Sequence, residues 1–182
     1  MGQAHAEIPS PYGPLGLAWR EEDTGARVVR IYLPNQWTAL GVAERELMSA
    51  PAIPGAIAAL VERIRRFLDG QAVELSTELL ALRVCSAFQR KVLLAEHGVP
   101  RGWVTTYGRL AAYVGLPGGA RAAGGALAAN PFPIVIPCHR AICSDGRLGG
   151  YQGGLAMKRA LLEQEGVTID ERDKVVSPRL CY

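Results

Sequence analysis

The sequence predicts an α/β (α+β) fold in two parts, with a β-hairpin and a helix in the first half and a cluster of short helices in the second. Two apolar runs separated by a polar turn predict the hairpin. Apolar residues at helical spacing predict an amphipathic helix after it. Two short helices across a glycine-containing turn, preceded by a third, have the arrangement of a helix-turn-helix. We expect a boundary near residue 82, with domains at 1–82 and 83–182.

The bulk composition is that of a globular protein. The chain has 182 residues and 49% hydrophobic content, enough for one large or two small domains. No apolar run reaches the length of a membrane span, and the N-terminus carries no secretion signal, so we expect no membrane association and a cytoplasmic location. We expect the protein to be associated with the nucleoid if its source is a bacterium or an archaeon, and to be nuclear if its source is a eukaryote. The four cysteines are irregularly spaced, which favours reduced thiols, no metal and no cofactor.

We interpret the elements of the first half as a structural scaffold. Leu15–Trp19 and Val28–Leu33 are the predicted hairpin strands, and Pro34 ends the second. A short helix is predicted in Val42–Met48 and a longer one from Ile53 to Leu68, closed by Gly70. No catalytic constellation is visible in this half.

The second half carries four predicted helices and a charged tail. The helices cover 88–97, 107–114, 120–129 and 155–165. In the last one, Leu155, Leu161 and Leu162 are expected inward, and Lys158 and Arg159 outward. The tail from Asp170 to Tyr182 is charged and contains proline, and its end is expected to be frayed.

A thiol and an imidazole follow one another in the stretch Pro131–Arg140. The apolar run Ile134–Ile136 predicts a short strand that Pro137 ends, so that Cys138 and His139 would be held at the end of a rigid element. A nucleophile beside a base is a reactive combination. A lone cysteine is also often a small core residue, and this pair by itself leaves both interpretations open.

Charge is divided unevenly along the chain. Residues 1–85 hold 8 Lys/Arg against 10 Asp/Glu (8 − 10 = −2), and residues 86–160 hold 9 against 2 (9 − 2 = +7). The basic segment suggests a polyanionic partner, although solvated surface charge explains it equally well. The helix at 120–129 has almost only hydrogen or methyl side chains apart from Arg121 and Leu127. This suits either close helix packing or close approach to a nucleic-acid groove.

Several motifs in order resemble the O6-alkylguanine-DNA alkyltransferases, over about 80 residues. They are Phe88-Gln89, Thr106-Tyr107-Gly108, Arg121-Ala-Ala-Gly, Asn130-Pro131, Ile136-Pro-Cys-His-Arg140, Gly150-Tyr-Gln-Gly-Gly154, Lys158 and Leu161-Leu-Glu-Gln-Glu-Gly166. The resemblance implies a ribonuclease-H-like N-terminal α/β domain, followed by a winged-helix-like domain with the helix-turn-helix and the active site. Trp103 departs from the family pattern, and Cys143 is expected to be buried.

The resemblance also implies roles for single residues. Cys138 would accept the alkyl group, His139 would take its proton through a water, Glu165 would orient His139, Asn130 would brace the turn and Tyr107 would donate to the guanine ring. The DNA-binding residues would be Arg121, which replaces the flipped base, with Ala122, Ala123, Gly124, Thr106 and Arg140. The substrate pocket would be formed by Tyr107, Pro133, Tyr151, Gln152 and Gly153.

The function implied is DNA repair by direct reversal. A monomer would bind duplex DNA containing O6-alkylguanine, flip the base through the minor groove and transfer the alkyl group irreversibly to Cys138. O4-alkylthymine is a second candidate substrate. An alkyltransferase-like lesion sensor with little or no transfer is the alternative, and a cysteine hydrolase is a third, weaker interpretation because no oxyanion donor is visible.

Overall fold

The computed structural model describes residues 3–41 and 52–182, so the helix predicted in Val42–Met48 lies outside the described residues. The chain has mixed helix and sheet and forms two compact units. The first contains residues up to Val84 together with Pro131–Val135, and the second contains Cys85–Asn130 and Ile136–Tyr182. In the part of the chain described, no helix has the length and apolarity needed to cross a membrane.

An antiparallel sheet of three strands forms the centre of the first unit. The strands are β1 (Ala4–Ile8), β2 (Leu15–Arg20) and β3 (Arg27–Tyr32), in the order β1-β2-β3. Strands β2 and β3 pair in antiparallel register with Leu17 opposite Ile31, which confirms the predicted hairpin. The sequence prediction missed β1, in which the polar residues His5 and Glu7 interrupt the apolar ones.

Two described helices accompany this sheet. In α1 (Pro34–Ala39), the Trp37 ring occupies the space where a side chain on Gly16 would stand, since a Cβ there would lie 2.0 Å from the ring. The indole N–H donates to Glu7 at 2.7 Å. The second helix, α2 (Gly55–Leu68), buries an apolar face at helical spacing and confirms the longer predicted helix.

The segment before the cysteine is not the strand that its apolar residues predict. Ile31 of β3 donates its backbone N–H to the Pro131 oxygen at 2.8 Å, which ties the segment to the first unit. Ile134 then adopts a φ of 74°, and residues 134–135 form a turn. A left-handed, β-branched residue cannot continue a strand, so the prediction of a strand over 134–136 was wrong.

Four helices build the second unit: α3 (Ala87–His97), α4 (Tyr107–Tyr113), α5 (Ala120–Ala128) and α6 (Leu155–Gln164). Each agrees with its predicted range to within a residue or so. The side-chain oxygens of Ser86 and Thr106 accept the N–H groups of Gln89 and Arg109, both at 3.2 Å, and so fix where α3 and α4 begin.

The tail is docked rather than frayed. Strands β4 (Thr105–Thr106) and β5 (Ala141–Ile142) pair in parallel, and Val104 bridges to Leu180 beside them. Val104 donates to the Arg179 oxygen and accepts from Cys181, both at 2.9 Å. Val167, Ile169 and Val175 join one apolar cluster with Ile142 and Leu162. The expectation of a frayed tail was wrong. It rested on the many charged residues of the tail, but the few apolar residues among them are enough to anchor it.

Helix α6 buries Leu161 and Leu162 as predicted, whereas the placements predicted for Leu155 and Lys158 were wrong. Lys158 is fully buried, whereas Leu155 is 49% exposed. Lys158 precedes the buried Leu161 and Leu162 by three and four positions, which places all three on one face. Lys158 was predicted to face outward only because it is charged, and its spacing to the two leucines is the better guide.

Candidate active site

Cys138 opens onto a cavity of about 600 Å³ within the second unit. The walls are formed by α4 and α5 on one side and by the glycine-rich loop at 149–154 on the other. The lining residues are Tyr107, Ala120, Arg121, Gly124, Leu127, Ala128, Cys138, Cys143, Gly149, Gly150, Tyr151 and Gln152. A concave, mostly apolar space with a nucleophile in its wall is the usual form of a small-molecule or base pocket.

The backbone around Pro137 presents the thiol. Cys138 donates its N–H to the Ile136 oxygen at 2.8 Å across Pro137, whose φ of −80° and ψ of 58° are those of an inverse γ-turn. One 3₁₀ turn follows over Cys138–Arg140. The Asn130 side-chain amide donates to the Ile136 oxygen at 3.2 Å and to Cys138 Sγ at 3.3 Å, so it braces the turn and the sulfur together.

The resting form of Cys138 is the thiol. The side chain is buried, with 5% of the residue exposed. Burial raises the pKa of Cys138 to about 11, although the Asn130 hydrogen bond opposes the shift. Because the thiolate is the nucleophile, a base must take the proton when the reaction occurs.

A buried ion network holds His139 next to the thiol. His139 Nε2 lies 3.0 Å from Glu165 Oε1, and Arg140 donates to both carboxylate oxygens, from Nε at 2.9 Å and from Nη2 at 2.8 Å. Arg140 also donates to the Val99 oxygen at 2.5 Å. Burial by itself would raise the pKa of Glu165, but the attraction and hydrogen bond of His139, together with Arg140, hold it at about 2.

This network fixes the proton positions on the imidazole. A carboxylate accepting at Nε2 requires the hydrogen there, which leaves the lone pair on Nδ1. Burial lowers the pKa of His139 although Glu165 opposes the shift, so the ring is a neutral base at rest. Glu165 can then stabilise the imidazolium once Nδ1 takes a proton.

Tyr107 supplies a hydrogen-bond donor in the cavity wall. Burial raises its pKa to about 12, so the phenol keeps its proton at physiological pH. Its hydroxyl lies close to the backbone of Gly149, where an added Cβ would come within 2.8 Å of the oxygen. Gly149 has a φ of 70° as well, so both space and conformation require glycine.

Lys158 is a site residue that pattern reasoning placed on the surface. Its ammonium group donates to the backbone oxygens of Ala141 at 2.6 Å and Leu148, and to Gly150 at 3.4 Å. Burial lowers the pKa of Lys158 to about 8, although nearby Cys138 and Glu96 oppose the shift. These bonds hold the loop next to the thiol. The spacing of Lys158 to the buried leucines is the sequence pattern that indicates its position.

The structure brings together most of the predicted site residues. Cys138, Tyr107, Arg121, Gly124, Tyr151 and Gln152 line the cavity, and Asn130, His139 and Glu165 support it. Pro133 and Gly153 are absent from the lining of this cavity. Thr106 caps α4, and Ala122 is exposed on α5.

Three predicted placements need correction. Arg140 is 9% exposed and bound to Glu165, so its guanidinium is not available to DNA phosphates. Ala123 is fully buried and belongs to the packing face of α5. Cys143, expected to be buried, is partly exposed and lines the cavity.

No group of three or more His, Cys, Asp or Glu residues suited to a metal ion exists within 3–41 and 52–182. Around Cys138, Asn130 bonds the sulfur, and His139 and Arg140 bond Glu165.

Comparisons with known proteins agree with this geometry. The family model of the 6-O-methylguanine DNA methyltransferase DNA-binding domain matches residues 87–167. A methylated-DNA–protein-cysteine methyltransferase of Methanothermobacter thermautotrophicus is 41% identical over 160 residues, covering 88% of this chain and 84% of that protein. The crystal structure of Mycobacterium tuberculosis O6-methylguanine methyltransferase has a TM-score of 0.71 and 35% identity, covering 90% of this chain and 92% of that one. M. tuberculosis OGT in complex with DNA also has a TM-score of 0.71 and 35% identity, covering 91% and 92%.

Proposed function

Since the chain belongs to the methylated-DNA–protein-cysteine methyltransferase family, we propose that Cys138 is its methyl acceptor and that Asn130, His139, Glu165 and Tyr107 support the transfer. The family function is DNA repair by direct reversal, in which a cysteine takes the alkyl group from the damaged base. The chain binds DNA and carries out this reaction. The observation that supports Cys138 most strongly is its position in the cavity wall, braced by Asn130 and next to the His139–Glu165 pair.

The proposed reaction is a displacement at the alkyl carbon of O6-alkylguanine. The bond from Cys138 Sγ to that carbon forms while the bond from carbon to O6 breaks, and the bonding electron pair leaves with the guanine. The thiol proton passes to His139 Nδ1 through a water and is returned to the guanine, so no charge accumulates. The Tyr107 hydroxyl donates to the guanine ring and stabilises the negative charge that develops there. The thioether has no good leaving group, so each molecule reacts once.

The base must leave the duplex for this chemistry to occur. Cys138 is buried at the end of the cavity, so a base inside the stack cannot reach it. We propose that the exposed, small-residue face of α5 approaches the minor groove and that Arg121, exposed at its first turn, takes the space of the flipped nucleotide. The proposal takes the protein as a monomer acting on one O6-alkylguanine.

Methyl transfer to a defined thiol tests the proposal. Purified protein is mixed with duplex DNA containing O6-methylguanine. The protein is then digested with a protease, and the masses of its peptides are measured by mass spectrometry. We expect one methyl group on the peptide that carries Cys138, its loss in Cys138→Ala and its retention in Cys143→Ala. A methyl group that remains in Cys138→Ala, or that moves to the Cys143 position, would contradict the assignment.

A further inference from the structure

The loop at 149–154 is joined to the end of α5 by the side chain of Gln152. Its amide nitrogen donates to the backbone oxygens of Ala128 at 2.7 Å, Asn130 at 3.0 Å and Leu127 at 3.5 Å. The last carbonyls of a helix lack partners within the helix, so they are strong acceptors for such a side chain. The bonds require the amide nitrogen, and not its oxygen, to face the helix.

The two elements that Gln152 connects are opposite walls of the cavity. Helix α5 contributes Gly124, Leu127 and Ala128 to the lining, and the loop contributes Gly149 and Tyr151. Glycines before and after Gln152 leave the loop backbone free to adopt other conformations. The distance between the walls therefore depends on side-chain bonds, and those of Gln152 cross from one wall to the other.

The loop backbone packs closely against two residues of the cavity wall at Gly149. A Cβ added to Gly149 would lie 2.8 Å from the Tyr107 hydroxyl and 3.2 Å from Cys143 Sγ. The loop backbone therefore lies against Tyr107 and Cys143 with no room for a side chain at Gly149. A bulky alkyl group in this place requires the loop to move away from Tyr107, and the Gln152 bonds oppose that movement.

We propose that Gln152 limits the size of the O6-alkyl group that the protein accepts, by holding the loop against the end of α5. The inference rests on the proposed function. Gln152 acts here as a positioning residue because it works through the loop.

Gln89 provides a matched control at the same helix end. Its side-chain nitrogen donates to the Ala129 oxygen at 2.9 Å and to the Ala126 oxygen at 3.2 Å. It bonds one carbonyl just before those that Gln152 takes and one among them, but it lies on α3 and does not line the cavity. Removing Gln89 weakens the helix end without releasing the loop.

The test compares the rates of transfer from duplex DNA containing O6-benzylguanine and O6-methylguanine, in wild type, Gln152→Ala, Gln152→Met and Gln89→Ala. Methionine keeps the length of the side chain but donates no hydrogen bond, so it separates bonding from bulk. We expect the benzyl-to-methyl rate ratio to rise about five-fold or more in both Gln152 variants, which corresponds to about 1 kcal/mol, and to stay at the wild-type value in Gln89→Ala.

Any other pattern of the benzyl-to-methyl rate ratio in the folded variants overturns the inference. An unchanged ratio in Gln152→Met shows that the bonds do not restrain the loop, and a rise in Gln152→Ala alone assigns the effect to lost bulk. An equal rise in Gln89→Ala assigns it to the helix end. If circular dichroism shows that Gln152→Ala is unfolded, Gln152→Met decides. Absence of methyl transfer in the wild type would count against the proposed function instead.

Discussion

Glu96 is a buried acid that destabilises the folded protein when it is charged. Its side chain is fully buried on α3, and within 3–41 and 52–182 neither carboxyl oxygen has a hydrogen-bond partner. Burial raises the pKa of Glu96 to about 8, although the charges of Lys158 and Arg140 oppose the shift. The acid is therefore protonated at neutral pH and becomes charged above it.

The raised pKa predicts a pH-dependent effect of Glu96→Gln on stability. A group with a folded pKa above its unfolded value of 4.5 stabilises the protein below pH 4.5, and this contribution is lost as pH rises through about 8. Relative to Glu96→Gln, the wild type should lose on the order of a few kcal/mol of unfolding free energy between pH 5 and 9. Urea unfolding at several pH values measures this, with Glu163→Gln on the surface of α6 as the control. A difference that does not vary with pH would contradict the prediction.

Glu165 has the opposite dependence. Its pKa of about 2 means that its stabilising contribution is present above pH 4.5 and is lost as pH falls through about 2. Glu165→Gln leaves Arg140 without its buried partner, so we expect a loss of about 3–5 kcal/mol at pH 7, together with slower methyl transfer. The stability difference from wild type should shrink towards pH 2 in urea unfolding.

A double variant tests whether the unpaired Arg140 causes the loss of stability in Glu165→Gln. Glu165→Gln with Arg140→Met removes both charges and should recover part of the lost stability, because the uncompensated guanidinium is gone. Equal stability of the single and double variants would mean that Arg140 is not the group left unpaired. Transfer should remain slow in both, since neither supports the imidazolium.

At the scale of elements, the docked tail has a testable consequence. The Cys181 N–H donates to the Val104 oxygen at 2.9 Å, and Thr105 Oγ1 donates to the Cys181 oxygen at 3.1 Å. The Tyr182 ring stacks on Tyr113 at 3.8 Å between centroids. We expect the Cys181 amide to exchange slowly in hydrogen-exchange measurements. Exchange at the rate of an unstructured peptide would contradict the docked tail.

Elements defined by local patterns were the most predictable. Helices α3 and α4 follow from their caps and apolar spacing, and the β2–β3 hairpin follows from its turn. The turn at Ile134 was not predictable, because its φ of 74° is one that isolated β-branched residues avoid. Only surrounding contacts can maintain such a conformation.

At the scale of the whole molecule, folding removes two positive charges of the basic segment from the surface. Arg140 and Lys158 are buried, so of the 9 cations at 86–160 a total of 9 − 2 = 7 are outside the core. The partly or fully exposed ones include Arg90, Lys91, Arg109 and Arg121. The charge asymmetry therefore persists at the surface, although two of its members serve the active site.

Salt should weaken DNA binding in proportion to the phosphates contacted. We expect the logarithm of the binding constant to fall linearly with that of the salt concentration, and Arg121→Ala to lower the affinity because the space of the flipped nucleotide is left unfilled. Fluorescence anisotropy with a labelled duplex measures both. Arg65→Ala, which removes an ion-paired arginine of α2, is the control. An affinity of Arg121→Ala equal to that of the wild type would contradict the proposed insertion of Arg121 into the duplex.

The sequence by itself determined the reactive groups and the local elements that carry them. Cys138 and His139 could be named from their own pattern, and Asn130 and Glu165 from the resemblance of their motifs to a known family. Tertiary structure alone decided that Arg140 bonds Glu165, that Lys158 lies under the loop and that Gln152 crosses the cavity. These contacts join residues that are distant in sequence, and burial of a charge depends on the partners that packing provides, which no local pattern records.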